Sequence, residues 1–366
     1  MNIMNDFLSQ LHQSDIFRYI MISVEATILG YGPVYLAKNR IINNYSLRRD
    51  FKIQNVKTVG LPIEVVRKVD DLNESEILKK QYGDILLEFI NVLKKNISKE
   101  NLSILFNNFS TLSFSEKNYK LLRKLFGGET DGMYNEKENQ IVLDKKSYHK
   151  TIYHELLHAS STIAEPNGEK YYSGFHQINN NGSIGEGLNE GYTQYLTEKY
   201  FGDKEILRAY DYEKTIAKAI EFIVGKEKME SLYFNANLNG LVECLKQYCS
   251  EEEIYKFIDT MDFIRNYARA DHLTSKSYEL IATSMRNVNS FLVRAIFAKN
   301  IIESETNEID KVAILTKTSS DLANIPFQIK FNKKDYSLYD AELFSEAIST
   351  VLSNFNLNED ENTVSK

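Results

Sequence analysis

Tryptophan is absent from the 366 residues, and there are only four prolines and two cysteines. So little proline excludes a collagen-like, mucin-like or polyproline stalk and leaves room for uninterrupted helices. The two thiols, Cys244 and Cys249, lie five apart in a stretch that reads as helical, where their side chains point away from each other. That rules out a disulfide scaffold. Two cysteines at this spacing also cannot assemble a sulfur-based zinc site, so both read as buried or inert thiols. A basic surplus is missing too: Lys+Arg number 44 against 51 Asp+Glu, a formal net charge of -7. Nucleic-acid binding, which needs a basic footprint, is therefore not expected.

Residues 1–6 lack the basic start and compact apolar run of a secretory leader, which makes a cytoplasmic location the expectation. The most apolar stretch, 19–37, is long enough to span a bilayer but carries Glu25, Gly30, Gly32 and Pro33, which are costly there. It reads as a buried or surface helix, and membrane association is not expected. With 43% hydrophobic and 26% charged residues, the composition is that of a globular chain with room for two or three packed units.

The first third reads mostly helical. Asn73 and Glu76 have capping-box spacing, and Ile77, Leu78, Ile85, Leu86, Phe89, Ile90 and Leu93 follow at helical intervals. A further helix is expected from Ser115 as its cap to Phe126, stopped by Gly127-Gly128. At Gly132 the texture changes. Gly132-Met133-Tyr134, a polar turn over 135–138 and Gln140-Ile141-Val142-Leu143 predict a short hairpin. A helix over 148–163 follows, capped by Ser147 and ended by Pro166 and Gly168.

This helix carries His154-Glu155-Leu156-Leu157-His158. At 100° per residue the two imidazoles stand about 40° apart on one face, a turn from each other, and can grip one metal ion. Ile152, Leu156, Ala159 and Ile163 fall about 140° to 200° from His154, so one side of the helix is expected to be buried while the other presents the histidines. Glu155 leans toward the metal side without being a natural third ligand. Downstream, Gly185-Glu186-Gly187-Leu188-Asn189-Glu190-Gly191 opens a second helix. A carboxylate from Glu190 would complete a set of two imidazoles and one carboxylate, with a fourth position left for water, as in catalytic rather than structural zinc sites. Glu186 is a fallback ligand. His176 lies too far downstream for a compact three-histidine pattern and reads as substrate-facing or exposed.

On these residues the chain resembles the gluzincin metallopeptidases, the thermolysin-like zincins in which His-Glu-x-x-His is followed by an Asn-Glu pair on a later helix. The likeness covers 133–198, about a fifth of the chain. It implies that His154, His158 and Glu190 bind zinc (Zn2+) and that Glu155 is the catalytic general base. It also implies a peptide or protein substrate whose extended backbone pairs with an edge strand, placed at 140–143. Family members stabilise the oxyanion with His or Tyr from the C-terminal half. Tyr192, Tyr195, His272 and Tyr278 are candidates, with His272 favoured because Asp271 can orient its ring. Two features depart from the pattern. Gln194 stands where an acidic residue supports a ligand histidine, and the gap between His158 and Glu190 is long, read as an inserted hairpin with turns at both ends.

Beyond Phe201 the chain returns to helices, with Tyr212, Ile216, Ile220 and Ile223 in phase up to Gly225, then segments at 229–233 and 238–248. Late strands are expected at 312–316 and 327–331, and a helix at 339–352. The expected architecture is α+β and mostly helical: a helical region over 1–128, a zincin-like core of hairpin, metal-binding helix and second ligand helix over 129–201, a helical region over 202–355 and a polar tail over 356–366. The expected activity is zinc-dependent peptide hydrolysis. The alternative is a catalytically degenerate zincin serving as a binding or regulatory module.

Overall fold

A computed structural model of the chain describes residues 82–117, 132–144, 148–164, 170–179, 182–268, 275–304, 311–323, 328–331, 334–337 and 341–354. The expectations for 19–37, for Asn73 to Leu78, for Asp271 and His272 and for the tail lie outside these residues. Residues 178–183 group with a separate unit; the other unit, 56–177 and 184–366, holds the site described below.

Helix α1 (Gly83–Asn96) buries Leu86, Phe89, Ile90 and Leu93, the stripe its sequence predicts, and ends on Lys94 and Lys95, which suit the negative end of its dipole. The short α2 (Ser103–Phe109) follows. Next comes β1 (Ser113–Lys117), where the sequence predicts a helix starting at Ser115. The strand forms because all five of its residues pair in parallel with β3, from Ser113 opposite Gln140 to Lys117 opposite Asp144. A cap worth about 1 kcal/mol does not outweigh such a ladder. The rest of that predicted helix lies outside the described residues.

The predicted hairpin is present as β2 (Gly132–Asn135) and β3 (Gln140–Asp144), paired from Gly132 opposite Leu143 to Asn135 opposite Gln140. Its sheet runs in the order β1-β3-β2, so β3 is the central strand and not the edge the sequence reading placed there. The unbroken buried run Ile141-Val142-Leu143 is what a strand covered on both faces requires. The edge toward the site is β2.

Helix α3 (Tyr148–Ser160) carries the histidine motif and stops three residues before the predicted end. There the hydroxyls of Ser160, Ser161 and Thr162 donate back to the carbonyls of Leu156, Leu157 and His158 at 2.6, 3.1 and 2.7 Å. Such bonds compete with helix continuation. The chain passes into β4 (Thr162–Ala164), where Ile163 lies opposite Tyr172 of β5 (Lys170–Ser173), and on into β6 (His176–Asn179) and β7 (Gly182–Ile184), a sheet in chain order. Strand, tight turn and strand over 170–179 form the predicted hairpin, and the turns expected at its two ends lie outside the described residues.

Helix α4 (Glu186–Phe201) holds the second half of the site, and α5 (Asp211–Val224), α6 (Lys226–Phe234), α7 (Leu238–Leu245), α8 (Glu251–Ala268) and α9 (Ser275–Glu303) follow. Next are α10 (Lys311–Ala323), the antiparallel pair β8 (Gln328–Phe331) and β9 (Lys334–Ser337), and α11 (Ala341–Asn354). The strand predicted at 312–316 is thus part of α10. Ile314, Thr318 and Leu322 recur every four residues and are buried, and Asn300 of α9 donates to Thr318 at 3.0 Å, so packing against α9 overrides the β-branched composition.

The whole is mostly helical with small sheets, an α+β arrangement. No described helix is long and apolar enough to cross a membrane. Phe201 of α4 stacks on Phe89 of α1 and on Tyr153 of α3, with centroids 5.3 and 4.5 Å apart, and locks the three helices together. Every residue from 151 to 160 is buried, so α3 is enclosed on both sides rather than presenting an open histidine face.

Candidate metal centre

One turn of α3 separates His154 from His158, and their Nε2 atoms converge to 3.1 Å. Glu190, in the second turn of α4, brings Oε2 to 3.1 Å from His154 Nε2 and 3.7 Å from His158 Nε2. A point central to three atoms so spaced lies about 2 Å from each, the bond length from imidazole nitrogen and carboxylate oxygen to a small divalent metal. The three residues fit a metal ion, and they are the set the sequence singles out. Glu186, the fallback, is not in this group.

Glu190 reaches the histidines because α4 crosses its neighbours closely. A Cβ on Gly187 would lie 2.6 Å from the Met261 carbonyl of α8, and one on Gly191 would lie 2.2 Å from the Glu213 carbonyl of α5, so only glycine permits both crossings. The contact with α8 also supplies a cap from outside the helix. Asp262, buried, accepts the Gly185 and Gly187 N–H groups at 2.7 Å each, satisfying donors that the first turn leaves open. Burial pushes the Asp262 carboxyl up to about 7, the Gly187 amide opposes that, and Glu186 adds to it.

One turn further along α8, Arg265 lies between two carboxylates of α4, with Nη2 2.7 Å from Glu190 Oε1 and Nη1 2.7 Å from Glu186 Oε1. Burial opposes the Glu190 charge, but Arg265 and the two histidines hold its carboxyl well below the usual range. Burial likewise opposes the Arg265 charge, and Glu186 and Glu190 keep it protonated. Tyr210 connects this group to the ligands: its ring stacks on His154 at 5.7 Å and lies under the Arg265 guanidinium at 5.7 Å.

Glu155 is buried on α3 beside the ligands. Burial raises its carboxyl to about 7; His154 and a hydrogen bond from the Tyr134 N–H of β2 pull it down, while Glu190 and Glu136 push it up. Glu136, in the turn between β2 and β3, is itself pushed up, first by burial and then by Glu186 and Glu190, with His158 opposing. Four carboxyl groups thus share a small region with the Arg265 guanidinium, and the upward push on Glu136 and Glu155 is one that a divalent cation would oppose.

Asn189, next to Glu190, links the two helices. Its Oδ1 accepts the Phe175 N–H at 3.0 Å, and its amide nitrogen lies 3.3 Å from His158 Nδ1. His154 has no such support, because its buried Nδ1 lacks a hydrogen-bond partner. Gln194, at the position where the likeness calls for an acid, donates instead to the Leu207 carbonyl at 2.9 Å and to Glu198 at 3.1 Å.

The oxyanion candidates fare differently. Tyr192 and Tyr195 donate to Glu221 at 2.6 and 3.0 Å, so both hydroxyls are engaged on that carboxylate. Tyr278 is half-buried on α9, and His272 lies outside the described residues. His176 is buried on β6, not exposed, as is its neighbour Gln177, whose side-chain amide donates to Asn239 of α7 at 3.2 Å. Arg265 and Tyr210 were invisible to sequence reasoning: neither belongs to a spaced motif, and Arg265 joins Glu190 across 75 positions. Glu136 had one signal, its place in the predicted turn beside the motif helix. No family model, no curated protein and no solved structure matches the chain.

Proposed function

We propose that the chain is a zinc-dependent peptidase of gluzincin type. The observation that carries this reading is the convergence of His154 Nε2, His158 Nε2 and Glu190 Oε2 within 3.1 to 3.7 Å of one another. Two nitrogens and one oxygen suit zinc, and three protein ligands leave the open position that distinguishes catalytic sites from structural ones. Zinc held there supplies Lewis acidity, polarising a carbonyl oxygen and making water nucleophilic near neutral pH.

The protein's own groups do the rest. Glu155 takes a proton from the attacking water at its carboxylate as the water oxygen bonds to the scissile carbon. It returns that proton to the amide nitrogen as the carbon–nitrogen bond breaks. The Tyr134 N–H of β2 orients the carboxylate. Strand β2, which ends its sheet, is the natural place for an extended substrate backbone to pair, and that favours peptides or unfolded protein segments over compact small molecules.

Replacing one oxygen of the proton acceptor tests the reading. Glu155→Gln should keep zinc at the wild-type stoichiometry while hydrolysis of an unfolded protein substrate falls by a factor of about 10² to 10⁴. Phenanthroline should silence the wild type. Undiminished hydrolysis in Glu155→Gln removes that residue from the mechanism. A second reading, a zincin kept as a binding module, is favoured by the unsupported His154 Nδ1; zinc retained by a wild type without hydrolysis identifies it.

A further inference from the structure

Glu190 has two carboxylate oxygens, and the structure gives them different partners. Oε2 faces the histidines at 3.1 and 3.7 Å, while Oε1 accepts from Arg265 Nη2 at 2.7 Å. The arginine is itself fixed. Its side chain is 3% exposed, Nη1 lies 2.7 Å from Glu186 Oε1, and its guanidinium lies 5.7 Å over the Tyr210 ring. A guanidinium is a rigid planar fork, so two carboxylates at its two ends and a ring on its face leave it little freedom to turn. Glu186 and Glu190 stand four apart on one helix and would repel each other without it.

A carboxylate next to a metal can bind through one oxygen or through both. Binding through both fills a second coordination position, which is the position a catalytic site keeps open. We infer that Arg265 is a positioning residue that holds Glu190 as a one-oxygen ligand: by occupying Oε1 it reserves Oε2 for the metal and keeps the remaining coordination position free for water or substrate. Arg265 touches neither histidine ligand and acts on the metal only through Glu190. The inference rests on the metal reading and adds to it the reason the site stays open.

Cobalt(II) reports coordination number directly, because four-coordinate cobalt absorbs visible light more intensely than five- or six-coordinate cobalt. The full chain would be loaded with cobalt and its visible spectrum recorded, and zinc affinity would be measured separately by competition with a chromophoric chelator. The wild type should give the intense four-coordinate bands. Arg265→Met should lower zinc affinity about 10- to 100-fold, the usual effect of losing a group that orients a ligand, and should weaken the cobalt bands as Oε1 swings onto the ion.

Arg265→Met leaves two partly buried carboxylates, each 15% exposed, without the cation between them, so it is paired with Glu186→Gln in a double variant that removes one of the charges; circular dichroism establishes which of the two folds. Glu186→Gln alone keeps the bond from Arg265 to Glu190 and should keep the wild-type spectrum, with affinity within about threefold. Wild-type spectrum and affinity in a folded variant lacking Arg265 overturn the inference. So does a band loss in Glu186→Gln equal to that in Arg265→Met, since charge balance rather than the Oε1 contact would then be responsible. A wild type that takes up neither zinc nor cobalt overturns the metal reading itself, and this is seen before any variant is made.

Discussion

Cys249 and Cys244 show how surroundings set what a side chain can do. Burial pushes the Cys249 thiol up to about 12, with Glu253 adding to the shift and Arg294 opposing it, and burial raises Cys244 as well. The thiolate is the reactive form, so near pH 8 Cys249 stays almost wholly in the unreactive thiol form. Alkylation of Cys249 by iodoacetamide should therefore be slow at pH 8 and should accelerate about tenfold per pH unit without levelling off before pH 11. Mass spectrometry of the two peptides measures this, and a plateau near pH 8.5 at Cys249 contradicts it. The same contrast between local and distant causes explains which site residues the sequence disclosed. His154 and His158 are related by helix geometry alone, and Glu190 sits in a glycine-punctuated helix start, so spacing found all three. Arg265 was hidden because its role depends on a helix crossing that brings together residues 75 apart in the chain.

At the scale of elements, the start of α4 is held by a neighbour rather than by its own cap. Gly185 precedes the helix and has no side chain to offer, and Asp262 of α8 accepts both the Gly185 and Gly187 amides at 2.7 Å. Asp262→Ala would leave two buried N–H groups unpaired, at a cost of about 2 to 4 kcal/mol. The urea midpoint should fall accordingly, and zinc affinity should fall with it because Glu190 lies in the turn next to the one that loosens. An unchanged midpoint would show that water replaces the carboxylate there. Elements whose shape follows from their own periodicity were legible: α1 from its apolar stripe, the β2–β3 hairpin from its polar turn, α5 from Tyr212, Ile216, Ile220 and Ile223. Elements decided by a partner were not. Ser113 to Lys117 became a strand because β3 offers a free ladder, and 312–316 became helix because α9 offers a groove. The same pairing with β1 moved β3 from the edge to the centre of its sheet.

For the molecule as a whole, the ligands lie on α3 and α4, and α8 reaches them through Arg265, so a bound ion would join three helices that are far apart in sequence. An unfolded chain does not gather these groups, and an ion that binds only the folded state stabilises it by mass action. With free zinc a hundredfold above its dissociation constant the gain is about 2.7 kcal/mol, which for 366 residues corresponds to a rise in melting temperature of about 3 to 4 °C. Differential scanning fluorimetry of the metal-stripped chain with and without zinc measures the shift, and Glu190→Ala should lose most of it. The variant is the decisive arm, because a chain with a formal net charge of -7 offers exposed carboxylates that attract divalent cations without organising the fold. If wild type and Glu190→Ala shift equally, the stabilisation comes from those surface groups, and His154, His158 and Glu190 have no part in it.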